Sequence, residues 1–219
     1  MSVHLQREID DLKKHLLSIC ALAEEQVQLA VRAFIDRNAE LARQVEEGDE
    51  EIDLREVEVE EDCLKVLALY QPVAIDLRLI VSALKINNDL ERIGDLAVNI
   101  ARKGSAIAAL PPMEIPFDLQ AMSEKTQAML RGSLDALVNM DAEGANAVCA
   151  RDDEIDCMKH DLRLKAQELI RTNPSNVEFF LNLLAVSRNL ERIADLASNI
   201  AEDVIYMAEG RIVRHSAGR

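Results

Sequence analysis

The chain has 219 residues with a formal net charge of −15, which repels nucleic-acid phosphates and anionic membrane surfaces and so predicts no binding of nucleic acid. Only 3% of the residues are aromatic, and Gly and Pro together are scarce, a composition typical of long helices with few turns. No apolar run approaches the ~20 residues of a membrane-spanning helix, and the charged start of the chain lacks the pattern of a secretory signal. We therefore expect an all-α cytoplasmic protein.

The first half of the chain is predicted to form three helices. Apolar residues with helical spacing indicate a first helix over residues 4–46. Gly48 is expected to stop this helix, and Asp49 to cap the N-terminus of a second helix that continues to residue 70. Pro72 breaks the second helix, and a third is predicted over residues 73–103.

The second half is predicted to repeat this plan. Three prolines between residues 111 and 116 interrupt the helical pattern, and residues 108–116 are expected to join the halves. Helices follow over residues 117–148, 152–171 and 175–208. The predicted domains are therefore a first three-helix bundle at residues 1–107 and a second at residues 117–219.

Repeated phrases identify the halves as copies of one unit. Residues 90–101 and 190–201 are identical at ten of twelve positions, at an offset of 100. Asp49 and Asp53 match Asp152 and Asp156 at an offset of 103. Chance does not produce such agreement, so the chain arose by duplication.

Two helices carry apolar residues at alternating spacings of three and four, which predicts stripes buried against neighbouring helices. The stripes are Ile86, Leu90, Ile93, Ala97 and Ile100 in the first half, and Val186, Leu190, Ile193, Ala197, Ile200 and Val204 in the second.

Oxygen-bearing side chains recur at every fourth position in each half, which places them on one helix face. If the second and third helices of a half are antiparallel neighbours, their acidic positions meet. Carboxylate and amide oxygens suit magnesium, manganese, calcium or iron better than zinc. The predicted metal ligands are Asp49, Asp53, Glu91, Asp95 and Asn99 in the first half, and Asp152, Asp156, Glu191, Asp195 and Asn199 in the second.

Other interpretations of these residues stay open. The carboxylates also fit a solvated charged face neutralised by Arg92 and Arg192, and His160 is a further candidate ligand with no counterpart in the first half. No phosphate-binding loop and no nucleophile with an adjacent base is visible, so the sequence predicts no enzyme. The competing functions are a metal-storage or helical scaffold protein and a metal-dependent phosphohydrolase.

Residues 71–78 read Gln-Pro-Val-Ala-Ile-Asp-Leu-Arg, residues 88–95 read Asn-Asp-Leu-Glu-Arg-Ile-Gly-Asp, and residues 99–101 read Asn-Ile-Ala. With the second copy at residues 189–201, these phrases resemble the signature of the PhoU family over nearly the whole chain. The second half departs from the pattern, because residues 173–176 lack the Asp-Leu-Arg of the first.

The resemblance implies two tandem three-helix bundles related by a pseudo-two-fold axis. It implies a cytoplasmic, non-enzymatic adaptor that negatively regulates the phosphate-starvation response and phosphate uptake. The implied partners are the ATPase subunit of the high-affinity phosphate importer, a sensor histidine kinase and a second copy in a homodimer, with membrane contact only through partners. It also implies metal ions, single or in multinuclear iron clusters, at the eight acidic positions; Asn99 and Asn199 are added from helical spacing alone.

Overall fold

The computed structural model describes residues 3–113, 115 and 117–213. This part of the chain forms seven α-helices and one short 3-10 turn, with no strand. The helices are α1 (Val3–Ile35), α2 (Ala39–Tyr70), α3 (Ala74–Ala108), α4 (Leu119–Asn139), α5 (Ala142–Cys149), α6 (Asp152–Thr172) and α7 (Val177–Glu209). The predicted all-α class is confirmed.

The first helix ends eleven residues earlier than predicted. Arg37 adopts a left-handed conformation with φ of 52°, and the side chain of Asn38 accepts hydrogen bonds from the amides of Glu40 and Leu41 at 3.0 and 3.1 Å. These contacts satisfy amides that a new helix leaves without partners. The continuous helix predicted over residues 4–46 is therefore wrong, and α2 begins at Ala39.

Gly48 lies inside α2 and does not end a helix. A Cβ atom at this position would lie 2.1 Å from Nε2 of Gln26, a buried residue of α1. The glycine therefore leaves room for a side chain of the neighbouring helix. Asp49 is consequently an interior residue of α2 and not the N-cap predicted from the sequence.

The second half breaks its predicted first helix at the equivalent place. Met140 has a φ of 51°, and the side chain of Asp141 accepts a hydrogen bond from the amide of Glu143 at 3.0 Å. The single helix predicted over residues 117–148 is therefore wrong. The short helix α5 and the longer α6 together take the place of α2, and they are separated at residues 150–151. The last two predicted helices are confirmed within two residues at each end by α6 and α7.

The helices form two tandem three-helix bundles, as predicted. In the first bundle α1 and α2 are antiparallel, since Nδ1 of His15 lies 2.6 Å from Oδ2 of Asp62. The two bundles pack mainly through α3 and α7. Lys85, early in α3, lies 3.4 Å from Asp203, late in α7, so equivalent helices of the two halves run antiparallel. This arrangement is the predicted pseudo-two-fold relation.

The predicted apolar stripes of α3 and α7 are confirmed, because every residue in them is buried. Fully burying one Leu or Ile side chain stabilises a fold by roughly 1.5–3 kcal/mol, so these two helices supply much of the hydrophobic driving force. The opposite faces of the long helices are mostly polar but include exposed apolar side chains, such as Leu54 on α2 and Leu181 on α7. Within the described ranges, no helix is both long enough and apolar enough to cross a membrane.

Candidate functional site

Helices α2 and α3 run antiparallel, since Arg102 of α3 contacts Glu46 of α2 while the earlier Asn87 contacts the later Glu56. This packing gathers acidic side chains from both helices. A Cβ atom on Gly94 of α3 would lie 3.2 Å from Oδ1 of Asp49 and 3.0 Å from Cδ1 of Ile52 on α2. A side chain at position 94 would therefore crowd α2, and its absence lets the two helices approach closely. We call the resulting group the first cluster; it comprises Asp49, Asp53, Glu56, Glu91 and Asp95.

The carboxylates of the first cluster repel one another. Loss of hydration, followed by the charges of Asp95, Asp53, Glu56 and Asp49, raises the pKa of Glu91 above its usual range. Loss of hydration also raises the pKa of Asp49 and of Glu56, each with further contributions from carboxylates nearby. The charges of Asp53 and Asp95 contribute to the raised pKa of both Asp49 and Glu91, which indicates that these four predicted residues lie close enough to interact electrostatically.

The first cluster contains no cation of its own. In the part of the chain that the structure describes, no Lys or Arg lies within 4 Å of its five carboxylates. Arg92, the neutralising partner considered from the sequence, lies 3.6 Å from Asp89 instead. Arg102 lowers the pKa of Asp49 from a distance but donates its hydrogen bond to Glu46 at 3.1 Å. The negative charge of the cluster is therefore uncompensated.

The second half forms a similar group, which we call the second cluster: Asp152, Asp156, Glu191 and Asp195. Helix α6 supplies an ammonium group to this cluster, since Nζ of Lys159 lies 2.5 Å from Glu191 and 3.1 Å from Asp156. Ser198 donates a hydrogen bond to Asp152 at 3.2 Å. Loss of hydration, then the charges of Glu191, Asp152 and Asp156, raises the pKa of Asp195 to about 6.

Sequence reasoning missed one member of the first cluster, Glu56, and two residues that contact the second cluster, Lys159 and Ser198. Glu56 follows Asp53 by three positions on the same helix face, and Lys159 is its counterpart at an offset of 103. Ser198 corresponds to Val98, which is buried. The offset that matched the aspartates contained the signal for Glu56 and Lys159, but the contacts of Ser198 depend on how α6 lies against α7.

Two predicted ligands and the further candidate His160 are not drawn into the clusters. Asn99 is exposed and Asn199 is half-buried, and in the described part of the chain neither side chain forms a hydrogen bond with a cluster carboxylate. His160 is exposed on α6. The asparagines therefore remain predictions, whereas the eight acidic positions are brought together in two groups of four.

The first cluster fits a hard cation by the chemistry of its donors, which are all carboxylate oxygens. As the described side chains stand, no three His, Cys, Asp or Glu residues converge closely enough to hold an ion. A cation at the first cluster therefore needs rotation of exposed side chains such as Asp53 and Asp95. At the second cluster it must also displace Lys159, whose ammonium already compensates the charge.

The architecture defines the class: a duplicated pair of three-helix bundles with an acidic cluster on each. The family model for the PhoU domain matches the chain twice, at residues 16–104 and 119–204. The chain belongs to the PhoU family.

Relatives match over nearly their whole length. The chain is 38% identical over 211 residues to the phosphate-specific transport system accessory protein PhoU homolog of Aquifex aeolicus, covering 96% of each. The phosphate-specific transport system accessory protein PhoU homolog 1 of Thermotoga maritima is 35% identical over 210 residues. The match covers 95% of this chain and 90% of that protein.

Solved structures of the family share the fold. The crystal structure of PhoU from Pseudomonas aeruginosa superposes with a TM-score of 0.91 at 37% identity, covering 94% of this chain and 99% of that one. The phosphate transport system regulatory protein PhoU from Streptococcus pneumoniae gives a TM-score of 0.88 at 26% identity, covering 95% and 99%.

Proposed function

We propose that this protein is a cytoplasmic, non-enzymatic regulator of phosphate transport. The observation that carries the proposal is the match of both halves to the PhoU domain, together with relatives described as accessory proteins of the phosphate-specific transport system. In phosphate-rich cells it restrains phosphate uptake and keeps the phosphate-starvation response off.

The proposed partners are the ATPase subunit of the phosphate importer and a sensor histidine kinase, with the protein acting as a homodimer. Long, rigid helices with exposed apolar side chains support an adaptor role, because partner helices pack on such faces. Leu54 and Leu64 on α2, and Leu181 on α7, are all more than half exposed.

A divalent or iron-type cation at the first cluster is the second part of the proposal. Such an ion supplies positive charge where five carboxylates have none, and so it relieves repulsion between α2 and α3. Glu91 and Asp95 would hold it from α3, and Asp49, Asp53 and Glu56 from α2. The second cluster is also a proposed cation site, but there the ion competes with Lys159. The role proposed for the cation is structural or partner-bridging, not catalytic.

The regulatory role is tested in cells by deleting the gene and measuring an alkaline phosphatase reporter of phosphate starvation in phosphate-rich medium. We expect high reporter activity that the intact gene reverses. A complementing gene that carries Glu91→Gln and Asp95→Asn separates the cation role from the adaptor role. Reporter activity equal to that of the parent strain would contradict the proposal.

A further inference from the structure

A cleft opens between α6 and α7 on the second half of the molecule, next to the second cluster. Its volume is about 660 Å³, which is within the range of sites for small molecules. Four basic side chains line it, although the chain as a whole is strongly acidic. We call this region the basic cleft; its charged residues are Lys159, Arg163, Arg188, Glu191, Arg192 and Asp195.

Four basic and two acidic side chains line the basic cleft, so its lining carries a net positive charge. Lys159 is paired with Glu191. By contrast, none of the three arginines has a carboxylate within 4 Å in the described part of the chain. Asp195 remains as the only lining carboxylate that is not in an ion pair. Three exposed guanidinium groups therefore line the cleft, and none of them is in an ion pair in the described part of the chain.

This arrangement carries an electrostatic cost. Arg188 and Arg192 are four residues apart on α7, so their like charges share one helix face and repel each other. Arg163 adds a third positive charge from α6 across the cleft. A bound anion would relieve this repulsion.

The basic cleft is a feature of the second half alone. By the offsets of the repeat, Lys159 corresponds to Glu56, Arg163 to Glu60 and Arg188 to Asn88. The equivalent surface of the first half is therefore acidic. Because both halves share the same helices and core, the difference in charge is not needed for folding and points to a ligand of one half.

We propose that the basic cleft binds a small anion that carries two or more phosphate groups. The planar guanidinium fork matches phosphate oxygens in pairs, and arginine is favoured where such anions are recognised. Phosphate groups concentrate enough negative charge in a small volume to face three arginines at once. The source is either a free oligophosphate or the phosphate chain of a nucleotide.

The test is isothermal titration calorimetry on the full chain at low salt without divalent cations, with tripolyphosphate, ATP and inorganic phosphate as three separate probes. We expect tripolyphosphate or ATP to bind more tightly than inorganic phosphate. Tighter binding of ATP than of tripolyphosphate identifies a nucleotide, and the reverse order identifies a free oligophosphate.

The variant Arg163→Gln/Arg188→Gln is expected to weaken binding at least tenfold, with circular dichroism confirming its fold. Arg92→Gln/Lys165→Gln is the matched control, because it also removes two positive charges, from positions outside the basic cleft. No binding of any probe at millimolar concentration, or equal losses in the double variant and the control, would overturn the proposal.

This inference goes beyond the regulatory role and does not depend on it. Absence of oligophosphate binding by the wild-type protein, with reporter repression intact, removes only the ligand assignment. Binding that depends on Arg163 and Arg188, in a protein whose deletion leaves the reporter unchanged, supports the site and removes the regulatory role.

Discussion

Glu56 on α2 and Lys159 on α6 occupy the same position of the repeat, yet Lys159 neutralises part of the charge of the second cluster and Glu56 adds negative charge to the first. Lys159 contacts Glu191 and Asp156, whereas Glu56 adds a fifth carboxylate to the first cluster. One half thus contains an internal cation and the other an additional anion at the equivalent position. The two halves are alike in fold but differ in the ions they attract.

Replacing Lys159 with Glu should make the second cluster dependent on cations. Without divalent ions we expect a loss of about 1–2 kcal/mol, because a partly buried ion pair becomes repulsion among carboxylates. Thermal unfolding with and without Mn²⁺ measures the effect, and Mn²⁺ should restore stability. Lys165→Glu makes the same charge change on the same helix and serves as control. Equal losses in both variants would contradict the role given to Lys159.

Metal-stripped protein should gain thermal stability when Mn²⁺ or Mg²⁺ is added. The reason is the uncompensated charge of the first cluster, which a cation bound only to the folded state relieves. The gain should largely disappear in the Glu91→Gln/Asp95→Asn variant, while the equivalent Glu191→Gln/Asp195→Asn variant should retain most of it. An unchanged melting temperature of the wild type at millimolar metal would argue against the cation site.

The carboxylate of Asp195 should make stability depend on pH. Its pKa is raised from 3.8 to about 6, so its charged form is disfavoured in the folded protein. The protonated form of Asp195 favours folding, and this stabilisation is fully present below the unfolded pKa of 3.8. It is lost as the pH rises through about 6, because the carboxylate then becomes charged in the folded protein. Asp195→Asn should therefore stabilise the protein at pH 7.5 more than at pH 4.5. Urea unfolding at both pH values measures this difference, and Asp161→Asn, an exposed carboxylate on α6, should not reproduce it.

Gly104→Ala should destabilise the first bundle although alanine favours helices. A Cβ atom at Gly104 would lie 3.0 Å from the backbone of Ala33 and Phe34, and backbone cannot move aside cheaply. We expect a net loss of about 1–3 kcal/mol in chemical denaturation. Gly48→Ala is the matched control, because there only the flexible end of Gln26 must turn. A larger loss at Gly48 than at Gly104 would show that close helix packing is not the cause.

Two helix ends escaped prediction for a common reason. Arg37 and Met140 adopt left-handed conformations that are usually found at glycine. Neither residue type therefore indicated that a helix ends there. The capping residues that follow, Asn38 and Asp141, were the available signal. Gly48 led to the opposite error, a predicted helix end where the helix continues. The glycine there leaves room for the side chain of Gln26 and does not mark a turn of the backbone.

The sequence by itself determined the duplication, the all-α class, the buried stripes of α3 and α7 and the acidic faces, since helical periodicity is a local property. Only the tertiary structure decided which side chains meet across helices. The pairing of Lys159 with Glu191, and the gathering of Arg163 with Arg188, depend on the register of α6 against α7. That register is set by packing between residues far apart in the chain, so it cannot be predicted from the spacing of residues within one helix.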